Sequence, residues 1–259
     1  MERYWLVAAS FCFLLSFGRT LFALGSGIFR PSRFNLITMA AGFLFETAFL
    51  YQRGHAIGAC PITNLFDVLI FLSWSIVLIY LLVGPAYRLS LMGAFTSPLV
   101  LSLILLALLA PLDRATPPPV HNSWVEFHAA LSLIAYGAFG LGCISGVMYL
   151  VQERQLKSRK VSDLLLSLPP ITELHIANGR LLLVGFVLLT IAFGAGIASH
   201  MSIPETKRLA SMLIWALYGC LLLARRFHLL SPGRAATASI AIFAIALVTL
   251  PSVSHLSAQ

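Results

Sequence analysis

Apolar residues run along this chain in long, unbroken blocks rather than in strict alternation or on one helical stripe. Eight blocks can be counted, at roughly residues 4–24, 34–52, 63–84, 91–112, 124–151, 177–199, 206–224 and 234–255. At the 1.5 Å rise of a helix, such blocks match the ~30 Å hydrocarbon layer of a bilayer. A transmembrane barrel would need ten-residue strands of alternating polarity, and these blocks do not alternate. Lipid offers the backbone no hydrogen-bond partner, so each block is read as a helix that satisfies itself. The pattern predicts an all-α membrane protein, a bundle of about eight transmembrane helices forming a single integral membrane domain over residues 1–259. Its first two helices fall in 1–53 and the remainder in 54–259. The first block reads as a retained helix, because Arg19 interrupts it and its Met-Glu-Arg start is not net positive.

The fifth block organises the rest. It is entered through His121-Asn-Ser-Trp-Val-Glu-Phe-His128, runs for about twenty uncharged residues, and ends in the basic stretch from Val151 to Lys160. Dense cationic runs belong on the cytoplasmic side of short loops. Sorting the other loops by the same rule puts twelve cations on that side and five (Arg3, Arg53, Arg114, Lys207, Arg208) on the other. Both termini are then expected on the outer, extracytoplasmic face. His55, His121, His128, His200 and His255 fall on that face too, leaving His175 and His228 opposite. Residues 161–176, apolar and broken by Pro169-Pro170, read as a segment lying in the cytoplasmic interface. Pro117, Pro118 and Pro119 should stiffen the outer loop 113–123.

Composition narrows the class further. The chain is 59% hydrophobic and 10% charged, against about 25% charged for a soluble domain. Its net charge of +8 would suggest nucleic acid in a soluble protein, but here the cations sit in short loops beside apolar spans. Orientation and lipid headgroups account for them, so the expected surroundings are the bilayer and no nucleic acid. The four cysteines form no Cys-x-x-Cys, which excludes a dithiol oxidoreductase, and no Cys-x-x-Cys-His, which excludes a covalently haem-bearing chain.

Candidate chemistry gathers at the outer ends of spans. His128 opens span five and His255 closes span eight, at similar depth. Two imidazoles on different helices can ligate one haem iron from opposite sides; the competing reading is a pair of interfacial histidines meeting headgroups. His200 is a further candidate ligand or an ordinary loop histidine. Trp124 and Glu126 flank His128, Trp124 as a ring platform or a membrane-belt anchor. Glu205, Lys207 and Arg208 suit either a capped helix start or a cationic rim for propionates. Asn64 and Asp67 stand at the head of span three, where Thr63 or Asn64 can cap the helix and Asp67 close a box-like arrangement.

Several spaced patterns carry a resemblance. They include Trp124-x-Glu-x-His128, Ala135-Tyr136-Gly-Ala-Phe139 and Tyr149-Leu150-x-Gln152-Glu-Arg-Gln-Leu156-Lys157. Leu168-Pro169, Gly185-Phe-x-Leu-Leu189-Thr190-x-x-x-Gly194, and Lys207 eight residues before Trp215-x-x-Tyr218 continue the series. So does Pro61-Ile-Thr-Asn64-Leu-Phe-Asp67-x-Leu-x-Phe71-Leu-Ser-Trp74, with its proline, asparagine, acid and tryptophan. Over roughly residues 54–256 the chain resembles the cytochrome c assembly family (CcsA, ResC, CcmC and HemX-like proteins), and it looks nearest to the shorter HemX-like branch.

The resemblance implies a multi-pass protein of the bacterial inner membrane that holds non-covalent, b-type haem at the outer face for attachment to apocytochrome c. It implies His128 and His255 as the axial pair, with apocytochrome c and a second membrane assembly subunit as partners. Such a chain is a scaffold rather than an enzyme, within what is at most a haem lyase complex. Two departures stand out: no tryptophan lies between Gly196 and Trp215, and Ala59 occupies the place of a family histidine, with His55 nearby but out of register. A HemX-like regulator of haem biosynthesis and a haem transporter component are the alternative functions. A cytochrome b-like electron carrier is disfavoured, because every histidine lies near a span end.

Overall fold

The backbone of this chain resolves into helices because nothing in its apolar blocks breaks them. A computed structural model describes residues 3–25, 33–83, 92–109, 122–158, 169–199 and 205–254. The helices are α1 (Arg3–Gly25), α2 (Arg33–Ile57), α3 (Leu65–Val83), α4 (Met92–Leu109), α5 (Ser123–Lys157), α6 (Ile171–Ala198), α7 (Glu205–Arg226) and α8 (Pro232–Ser254). No strand occurs among the described residues. Seven of the eight are long and apolar enough to cross a membrane, and α4 contributes a shorter apolar run, Phe95–Leu109.

Two boundaries depart furthest from the sequence reading. Helix α5 continues to Lys157, which makes its 35 residues about 52 Å long. That exceeds the hydrocarbon thickness, so its charged last turns stand beyond the apolar layer. Helix α6 begins at Ile171 rather than near 177, with Pro170 at its N-cap and Glu173 in its first turn. Proline needs no helical N–H donor at a helix start, and an acid there favours the helix dipole. Residues 171–176 of the expected interfacial segment are therefore the opening turns of a span. Of the remainder, Pro169 and Pro170 precede α6 and 161–168 lie outside the described residues.

Helix α5 is the centre of the bundle. It packs most extensively on α6 and also lies against α3 and α8, while α1 packs on α2 and α4. One core joins residues of α1 to α6, for example Phe13, Phe49, Phe66, Ile70, Leu141 and Leu181. A second joins α5 to α8 through Phe139, Leu182, Tyr218 and Phe243. The Phe139 and Tyr218 rings stack with centroids 3.6 Å apart. Outward faces stay apolar, as with Phe11 and Phe22 on α1 and Val187 and Ile191 on α6, because their solvent is lipid.

Small residues let the helices come this close. A Cβ on Gly137 would lie 2.8 Å from the Ser75 backbone carbonyl carbon of α3, so only glycine fits there. Gly142 and Gly146, four apart on α5, face α6 and α8 in the manner of small-residue membrane interfaces. Buried polar groups find partners across the same interfaces. Asn178 donates to the Gly142 carbonyl at 2.7 Å and to Ser239 Oγ at 3.2 Å, and Arg225 donates to Asn178 Oδ1 at 2.6 Å and to the His175 carbonyl at 3.0 Å. On the other side of the bundle, Ser73 donates to Glu46 and Trp74 Nε1 donates to Thr47 Oγ1 at 2.8 Å, tying α3 to α2.

Gly137→Leu should lower the stability of the detergent-solubilised protein by about 1–3 kcal/mol through overpacking against α3. Thermal unfolding followed by helical circular dichroism measures this, and an unchanged midpoint would count against the close approach.

Candidate functional site

Four helix ends meet where α5 begins. Asn122 caps that helix: its Oδ1 accepts from the Trp124 N–H at 3.0 Å, and its Nδ2 reaches the Ser199 carbonyl at the end of α6, at 3.4 Å. The side chain thus satisfies an orphan donor of α5 and an orphan carbonyl of α6 together. Asn122 went unremarked in the sequence reading, although an asparagine just before a span is a recognisable N-cap signal.

The α2–α3 junction supplies the next wall. Asn64 Oδ1 accepts from the Asp67 N–H at 2.8 Å, and Asp67 Oδ2 accepts from Thr63 Oγ1 at 2.7 Å and from its N–H at 3.4 Å. The box-like cap expected there is present. Asp67 is wholly buried, and Arg53, near the end of α2, meets its Oδ1 at 3.1 Å. A buried carboxylate is tolerable only with such a partner. No sequence signal singles out Arg53, because the pairing spans two helices. Pro61 is buried in the turn, and Trp74 stacks on Phe43 of α2 with centroids 5.4 Å apart.

Glu126 joins this junction to α5. Its Oε2 accepts from the Cys60 N–H at 3.3 Å. Burial, reinforced by the Glu126 and Asp67 carboxylates, pushes the Cys60 thiol up to about 11. Glu126, two residues before His128, thus ties the start of α5 to the α2–α3 turn.

His128 is oriented from the opposite side. Its Nδ1 lies 2.6 Å from the Ala192 carbonyl of α6. A carbonyl oxygen can only accept, so Nδ1 carries the proton, and in the neutral ring Nε2 then carries the lone pair. Backbone orientation of this kind fixes the tautomer of histidines that bind metals. Gly196 lies one turn further along α6, and a Cβ there would come 3.0 Å from Nδ1. Trp124 and Phe127, on the same first turns of α5, are half exposed.

The other expected residues are less gathered. Arg208 pairs with Glu205 at 3.7 Å on the exposed first turn of α7. His55 is exposed, with its ring against Tyr51. His200, His255 and the Lys207 side chain lie outside the described residues. Helix α8 nonetheless runs antiparallel to α5: Gly233 faces Glu153, Ala236 faces Gly146 and Phe243 faces Gly140. Continued at this register, its last turn, ending at Ser254, comes level with the first turns of α5. No group of three or more metal-ligating side chains occurs among the described residues. The local donor set is a single imidazole, whose Nε2 carries the lone pair in the neutral ring.

Two measurements check this junction. In a variant keeping Cys60 as its sole cysteine, alkylation should be slow at pH 8 and accelerate as pH rises towards 11, because the thiolate is the nucleophile. Glu126→Gln removes a raising charge and should speed it about threefold at fixed pH. Arg53→Ala, which leaves Asp67 buried without its cation, should cost about 2–4 kcal/mol in unfolding experiments, and Asp67→Leu in that background should recover part of it.

Comparison with known proteins places this geometry in context. The model of the cytochrome C assembly protein family matches residues 62–257. A relative named Protein HemX, from Brevibacillus brevis, is 27% identical over 181 residues, covering 67% of this chain and 66% of that protein. Two relatives are named cytochrome c biogenesis protein CcsA. The one from Synechococcus sp. (strain JA-3-3Ab) is 31% identical over 58% of this chain and 47% of its own length. The one from Chlorella vulgaris is 32% identical over 36% and 31%. The matched stretches thus span about two thirds of the first relative and half or less of the other two. The family match takes in α3 to α8 and with them Asn64, Asp67, Trp124, Glu126 and His128; the chain belongs to the cytochrome C assembly protein family.

Proposed function

We propose that this chain is a haem-holding membrane factor of cytochrome c maturation, which keeps haem at the membrane face where α5 begins and presents it for attachment to apocytochrome c. The observation that carries the reading is the His128 ring, held through Nδ1 by the Ala192 carbonyl so that Nε2 is left to ligate. His255, just beyond the end of α8, is the second axial ligand in this proposal, supported by the antiparallel register of α8 against α5. His128 and His255 would hold a non-covalent, b-type haem, which when bound would supply the vinyl groups for thioether formation with apocytochrome thiols.

The chain's own residues bind and orient. Asn122 and Glu126 fix the start of α5, and the Ala192 carbonyl sets the tautomer and plane of His128. Trp124 and Phe127 offer aromatic surface to a flat ring, and Arg208, with Lys207 and His200, stands in the segment that would meet its propionates. Thiol chemistry belongs to the apocytochrome and a second membrane subunit, so this chain is a scaffold rather than an enzyme. The distribution of cations supports an orientation with this face outside the cytoplasm, in the inner membrane of a bacterium.

A second reading, a HemX-like regulator of haem biosynthesis, is favoured by two observations. The relative named HemX is matched over more of this chain than either CcsA relative cited, and no tryptophan stands between Gly196 and Trp215.

Absorption spectra of protein purified from haem-replete cells separate the two. The proposed function requires a low-spin b-type spectrum that is lost in both His128→Ala and His255→Ala. Gly196→Val, which crowds the ring without removing it, should weaken haem retention about tenfold. A wild-type protein that carries no haem would overturn the proposal in favour of the regulator.

A further inference from the structure

At the opposite, cation-rich end of the bundle, α5 and α8 part to leave a cleft of about 580 Å³. It is lined by Lys157, Glu153 and Leu150 of α5, by Ser231, which precedes α8, and by Gly233, Arg234, Thr237, Ala238 and Ala241 of that helix. The lining is graded along the helices. Lys157, Ser231 and Arg234 stand at the mouth, whereas Leu150, Ala238 and Ala241 lie one to two turns deeper towards the apolar layer. Glu153 pairs with Lys157 at 3.0 Å and comes so close to Gly233 that a Cβ there would lie 2.8 Å from its Oε2. Arg234 has no carboxylate partner among the described residues. The cleft therefore keeps one uncompensated positive charge at its mouth and an apolar floor beneath it.

We infer that this cleft binds one anionic phospholipid, its phosphate held by Arg234 and Lys157 and its first acyl carbons lying over Leu150, Ala238 and Ala241. Charge complementarity selects the anion: basic pockets between helices at the cation-rich side of a membrane take acidic headgroups. The apolar floor selects a lipid over a free phosphate, which would have no use for it. The lining's one carboxylate, Glu153, is already paired with Lys157, and its other charged groups are cationic, so an anion suits it better than a metal ion. This site shares no residue with the proposed haem site and stands or falls without it.

Binding of defined lipids to the full-length protein in detergent, read by native mass spectrometry, tests the inference. Phosphatidylglycerol should occupy a single saturable site more tightly than phosphatidylcholine. Lys157→Gln and Arg234→Gln should each weaken it about fivefold. Ala241→Phe, which fills the floor and leaves the charge alone, should weaken it as well. Arg226→Gln, at the same end but outside the cleft, should leave it unchanged. Equal affinity for phosphatidylcholine would sink the site. So would an Arg226→Gln loss as large as that of Arg234→Gln, which would mean diffuse attraction. Competition by inorganic phosphate together with an unaffected Ala241→Phe variant would replace the lipid with a free-phosphate site. Should Arg234→Gln fail to fold, Lys157→Gln and Ala241→Phe decide the outcome.

Discussion

Hydrocarbon gives a polar group nothing to bond to, and the arrangement of this protein follows from how α5 meets that constraint. Its backbone closes on itself as a helix, and its glycines bring neighbouring helices within reach of the few polar side chains the bundle buries. At Gly137 the approach of α3 leaves no space for a methyl group. At Gly142 the buried carbonyl takes a hydrogen bond from Asn178, which also accepts from Arg225 and so draws α7 to the same point. Close packing and polar satisfaction are one device here, since a larger residue at these positions would separate the donors from their acceptors.

The two ends of α5 use that rigidity differently. Where it begins, three side chains reach other elements: Asn122 to α6, Glu126 to the α2–α3 turn, His128 to the Ala192 carbonyl. The imidazole is held by backbone, which cannot change protonation or rotamer, and which ring nitrogen keeps the lone pair is thereby defined. Where α5 ends, the helix outruns the bilayer and carries Glu153 and Lys157 into water beside the first turn of α8. One end is knitted shut around a histidine, and the other is left open and charged.

Helix α2 adds support from outside the stretch matched by the family. Asp67 takes its cation from Arg53, Ser73 meets Glu46, and Trp74 is held by Thr47 and Phe43. The acid and tryptophan that look like family signatures in α3 are thus completed by residues that carry no signature. This explains why Asp67 can be fully buried at the head of a membrane span.

Apolar block length was enough to count the helices and to set the class, because the bilayer imposes one dimension on every span and leaves one backbone solution. Cap chemistry was equally legible at Asn64 and Asp67, because the capping bonds themselves close within four residues along the chain. The extension of α5 to Lys157 and the start of α6 at Ile171 were missed, since hydropathy marks where lipid ends rather than where a helix does. The role of Arg53, the target of Glu126 and the tautomer of His128 were decided by tertiary structure alone. Each depends on a partner 14, 66 or 64 residues away, and no local spacing encodes a contact that exists only once separate helices have packed.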